Sequence, residues 1–102
     1  MRKRYYSDYV RHMIRSFNAQ NRRGETPTDL NYLACKAVFD RHTDRVQDIL
    51  CGFCTGISSD SDDSVVFELS NSTGVAVAEV WRTIRTVERE IANERGLLND
   101  TK

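Results

Sequence analysis

Three sets of residues in this 102-residue chain have types and spacings that could do chemistry. Cys51 and Cys54 form a C-x-x-C in "CGFC", and with Cys35 and His12 or His42 they hold enough soft ligands for a zinc site. A redox C-x-x-C works because its first thiolate sits at a helix N-terminus, which lowers its pKa, whereas Cys51 falls well inside a helical apolar stripe. Neither a second Cys pair nor the histidine spacing of zinc fingers accompanies it. Three cysteines also make no disulfide framework, so they read as core or half-buried thiols in a reducing cytosol. The second set is acidic: Asp62 and Asp63 are paired, but in a loop that leads into a helix. His12 and His42 stand far apart, and no Gly-rich phosphate loop follows a strand. No enzyme, metal or cofactor is expected.

The third set is charge itself. The formal net charge of zero hides an asymmetry. Residues 1–23 carry Arg2, Lys3, Arg4, Arg11, Arg15, Arg22 and Arg23 against Asp8 alone, a net +6. From Val46 to Trp81 there is no basic residue, while Asp48, Asp60, Asp62, Asp63, Glu68 and Glu79 make that stretch −6. A basic arm suits phosphate, and an acidic block suits a basic protein surface; alternatively the two attract each other within the fold.

The elements that position these groups are helices. One domain of this length closes a modest core, and no apolar run approaches the roughly 20 residues needed to span a bilayer. The N-terminal "MRKRYYSDYV" leads into a charged amphipathic pattern, not an apolar signal core, so a cytoplasmic location is expected. Tyr6, Tyr9, Val10, Met13, Ile14 and Phe17 mark helix 1 from about Tyr5 to Ala19. Leu30, Leu33, Ala34, Ala37 and Val38 mark a second helix, capped by Thr28 and ending near Arg41. Thr43 caps a third, with Val46, Ile49, Leu50 and Phe53 inward. A fourth runs roughly from Ser64 to Ser70, with the loop aspartates at its positive end. The fifth begins near Ala76 and continues to about Glu94, because Val77, Val80, Ile84, Val87 and Ile91 alternate by three and four, with Leu98 seven beyond. The fold class expected is all-α: a helical bundle of about five helices, with an N-terminal hairpin over 5–41 and a second unit over 43–98.

Within the second unit, "LSNSTGVAVAEVWRTI" resembles the helix-turn-helix form L-A-x-x-x-G-V-S-x-x-T-V-x-R-x-L. Gly74 supplies the turn, Ser70 the small residue, and Leu69, Val75, Val80 and Ile84 the apolar wedge. An ordinary αα-hairpin fits the same glycine and spacing. Thr43 to Leu98 is similar to region 4 of bacterial sigma factors and to small sigma-like proteins of phage and mobile elements. The whole chain, from "RYYSDYVRHMIRSF" to "EREIANERGLL", resembles short proteins carried by Firmicutes mobile elements. The resemblance implies a DNA-binding unit whose recognition helix is helix 5, with Val77, Ala78, Trp81, Arg82 and Arg85 facing bases. Only Arg82 and Arg85 of those five bind base edges or phosphates strongly, so Arg2, Lys3, Arg4, Arg11 and Arg15 are the expected backbone grip.

Two functions follow. One is a DNA-binding accessory or transcriptional regulator of a phage or mobile element. The other is a protein-binding module, such as a phage-encoded, anti-CRISPR-like inhibitor of a host nucleic-acid enzyme, acting through Asp60, Asp62, Asp63, Glu68 and Glu79. The long seam on helix 5 also needs a partner beyond helices 3 and 4. Packing by helix 1, with its cations on Glu88, Glu90 and Glu94, is the first expectation, and a homodimer through helix 5 the second.

Overall fold

Helix 5 is the element around which the rest is arranged, because four others must share its apolar seam. A computed structural model describes the backbone of residues 2–54 and 61–97 and the side chains of residues 8–54 and 61–97. The expectations for Tyr6, Asp60, Leu98 and the side chains of Arg2, Lys3 and Arg4 lie outside the described residues. The order is α1 (Arg2–Arg22), α2 (Leu30–Phe39), α3 (Asp44–Cys54), α4 (Asp62–Thr73) and α5 (Val77–Arg95), with no strand among the described residues. The architecture is all-α, and no described helix is long and apolar enough to cross a membrane. Helix α5 packs against all four others, and α1 bridges α2 and α3.

Helix ends follow local hydrogen bonding. Helix α1 continues past Ala19, since nothing in "QNR" breaks it, until Gly24 turns left-handed at φ 74° and the Glu25 N–H donates back to Gln20 O. Asp29, not Thr28, caps α2: its side chain accepts the Tyr32 N–H at 3.1 Å, and aspartate is the stronger cap. Thr43 Oγ1 accepts the Val46 N–H at the start of α3. Ser61 caps α4, leaving Asp62 and Asp63 in its first turn beside the positive end of the dipole. That helix outlasts Ser70 because Thr73 Oγ1 donates back to Leu69 O at 2.7 Å and keeps "NST" helical. The turn into α5 is therefore Gly74–Ala76, with Gly74 left-handed at φ 76°. Ser70 Oγ donates to Val75 O at 2.6 Å and fastens it.

The core combines Val10, Met13, Ile14 and Phe17 of α1 with Val38, Leu50, Val66, Val80, Ile84, Val87 and Ile91. Val80 and Ile84 are buried as the wedge requires, whereas Leu69 and Val75 are half-buried against it. Two residues of the expected α2 stripe are corrected: Leu30 and Leu33 are exposed. Tyr32 and Phe39 take the buried face instead, their rings 5.0 and 5.2 Å from Phe17. Tyr32 also donates its hydroxyl to Asn21 at 2.6 Å, which pins the α2 face in that rotation.

The second half of the α5 seam is closed inside the chain. Val87 and Ile91 are buried, and α2 as well as α1 covers them. Among the described residues, Val87 and Ile91 are thus covered within the chain. Of the three glutamates expected to meet α1, only Glu88 does so among the described contacts; Glu90 lies 2.7 Å from His42 and Glu94 3.7 Å from Arg41, at the end of α2.

Candidate nucleic-acid interface

Helical geometry sorts α5 into two faces. Val80, Ile84, Val87, Glu88, Ile91 and Ala92 point inward. Ala78, Arg82, Arg85 and Arg89 then recur by four, three and four on the opposite side, and all four are exposed. Arg82 to Arg89 spans seven residues, about 10 Å along the axis. The stripe starts within two turns of Gly74. Arg89 was not singled out from the sequence, although its spacing from Arg82 and Arg85 is the signal that locates it.

The three arginines differ in engagement. Arg82 Nη1 donates to Glu79 at 2.5 Å, both side chains being more than half exposed. Arg85 lies over the Trp81 ring, 5.2 Å from its centroid. Trp81 is half-buried and meets Phe53 of α3 edge-on at 5.8 Å, and the guanidinium of Arg11 stands 4.5 Å from the other ring of that pair. Trp81 is thus held from below by α3 and offers part of its surface beside the stripe. Val77 and Ala78 are exposed at the first turn.

The N-terminal cations are placed otherwise. Arg11 donates from Nε to Glu88 at 3.3 Å and from Nη1 to Asp62 at 3.2 Å, tying α1 to α5 and α4. Burial works against its charge, but the two carboxylates outweigh it and hold the guanidinium above its ordinary pKa. Arg15 Nε donates to Cys54 O at 2.6 Å and closes the end of α3. Both residues are engaged within the fold, and neither belongs to the α5 stripe. The acidic set divides too: Asp62 is held by Arg11 and Glu79 by Arg82, whereas Asp63 and Glu68 stand exposed on α4.

"CGFC" has a packing explanation. A Cβ on Gly52 would come within 2.8 Å of Leu69 Cδ2, so the glycine lets α3 approach α4 closely. Phe53 supports Trp81, and Cys54 is buried. Desolvation pushes the thiols of Cys35 and Cys54 up to about 12 and raises that of Cys51 as well, the opposite of a poised nucleophile. Among the described residues, no three His, Cys, Asp or Glu side chains converge to hold a metal ion.

No family model, curated protein or solved structure matches the chain.

Proposed function

We propose that this chain is a DNA-binding accessory or transcriptional regulator of a phage or mobile element, in which α5 enters the major groove. One observation carries the reading: Arg82, Arg85 and Arg89 form a stripe on the exposed face of the helix that follows the Gly74 turn. DNA affinity arises largely from neutralised phosphates, and guanidinium groups also bind guanine edges bidentately. Arg85, stacked on Trp81, keeps its planar fork oriented. The resemblance to sigma-like helix-turn-helix proteins points the same way. On this reading the protein acts in the cytoplasm and performs no catalysis. A mobility-shift titration with random-sequence duplex at low salt tests it: retarded complexes support the reading, and their absence removes it.

A second reading has one observation in its favour. Phe67 is 58% exposed on α4, one turn beyond Asp63 and beside Glu68. An aromatic anchor flanked by carboxylates suits a basic protein surface, as an inhibitor of a host nucleic-acid enzyme requires. A Phe67→Ser variant with unchanged DNA binding and unchanged biological activity opposes it.

A further inference from the structure

Beside the stripe on α5 stands one residue that works against phosphate binding. Glu79 lies in the first turn of α5, bonded to Arg82 one turn on. Neither side chain packs into the core, and each is more than half exposed. The pair is therefore not needed to hold helices together, and exposed pairs of this kind are weakly held. The local role open to Glu79 is electrostatic: Ala76 provides no side-chain cap, and a first-turn carboxylate suits the helix dipole. That role would be filled by an acid anywhere in the turn, and does not require one in reach of Arg82.

We infer that Glu79 restrains non-specific DNA binding by holding Arg82 in an ion pair that a phosphate must displace, so that Arg85 and Arg89 provide the backbone grip of α5. The inference rests on the DNA-binding reading. A phosphate approaching Arg82 meets the Glu79 carboxylate as well, so the pair presents almost no net charge. A base edge is not repelled in the same way, because a glutamate can accept from the cytosine amino group while an arginine donates to guanine. The pair thus suppresses binding to backbone alone and leaves readout in the groove open.

The test compares wild type, Glu79→Gln, Arg82→Gln and the double variant on random-sequence duplex DNA, following affinity against salt. Each arginine that neutralises a phosphate contributes about 0.9 to the slope of log affinity against log salt. Glutamine keeps the helix propensity of glutamate, and a thermal melt confirms that each variant folds. Glu79→Gln is expected to bind about three- to ten-fold tighter at low salt, with the slope steeper by about 0.9. Arg82→Gln should change the wild-type slope little, and should remove the gain when added to Glu79→Gln. A wild-type slope that falls by the full increment on Arg82→Gln, or an unchanged slope in Glu79→Gln, overturns the inference while leaving DNA binding intact. If neither wild type nor Glu79→Gln binds duplex at low salt, the DNA-binding reading fails and the inference with it.

Discussion

Arg11 Nε lies 3.3 Å from the carboxylate of Glu88, whose side chain is only 5% exposed in the heart of the bundle. One contact joins the N-terminal helix to the helix that carries the arginine stripe, and through Asp62 the same guanidinium reaches α4. Removing one partner of a buried ion pair is costly because the remaining charge stays desolvated. Arg11→Ala is therefore expected to lower unfolding free energy by about 1–3 kcal/mol, less than the roughly 3–5 kcal/mol of a fully buried pair because Arg11 reaches the surface. Arg15→Ala, which loses one hydrogen bond to Cys54 O, should cost about 1 kcal/mol. Urea denaturation of both variants checks the order; an Arg11→Ala midpoint equal to wild type would contradict it.

Gly52 and Leu69 should show coupling. A β-carbon at residue 52 gains about 1 kcal/mol of helix propensity but collides with a half-buried leucine tip that must turn aside. Gly52→Ala alone should lie within about 1 kcal/mol of wild type, whereas in a Leu69→Ala background it should stabilise by about 1 kcal/mol. Additive effects in the double-mutant cycle would refute the close approach.

At Gly74 the constraint is conformational only, since nothing lies within 4 Å of an added Cβ while φ is 76°. Gly74→Ala should cost about 1 kcal/mol and Gly74→Val about 1–3 kcal/mol, with Asn tolerated best. A melt unmoved by valine would show a different turn.

These contacts show where the sequence was legible. The five helices follow from apolar periodicity because Val10, Met13 and Ile14, or Val80, Ile84, Val87 and Ile91, leave one face to bury. Helix α2 was ambiguous: "LNYLACKAVF" is apolar around most of its circumference, and only the stacking of Tyr32 and Phe39 on Phe17 decides which side faces inward. Spacing alone therefore misplaced Leu30 and Leu33, and likewise Tyr9 at the edge of the α1 stripe and Val77 at the start of the α5 seam, both of which are exposed. The charge asymmetry was visible, but not its pairing, because Arg11 meets Glu88 across 77 positions of chain. The same tertiary contact engages Arg11 within the fold, while Arg85 and Arg89 of the α5 stripe stay exposed.

Thiol ionisation predicts an alkaline loss of stability. Cys35 and Cys54 have folded pKa values raised by burial to about 12, above the unfolded value of 9.0. Between those pH values the unfolded chain holds fewer protons than the folded one, so their contribution is full below about pH 9 and declines as pH rises toward 12. Alkylation at mildly alkaline pH should label Cys51 first, with Cys35 and Cys54 protected until the chain unfolds. Rapid labelling of Cys54 in folded protein would contradict its burial.

The burial of Val87 and Ile91 also bears on assembly. Val87→Asp or Ile91→Asp should collapse helicity by placing a charge in the core, and not merely separate two folded copies. Circular dichroism with light scattering distinguishes these outcomes.

The central claim is that the α5 face binds DNA through its arginines. Fluorescence anisotropy of a labelled random-sequence duplex at about 50 mM salt, titrated with wild type and with Arg82→Gln/Arg85→Gln/Arg89→Gln, tests it most directly. All three side chains are exposed, so the variant should melt like wild type. The account predicts micromolar or tighter wild-type binding, lost in the triple variant. Equal binding by the two proteins, or no binding by wild type, would contradict it.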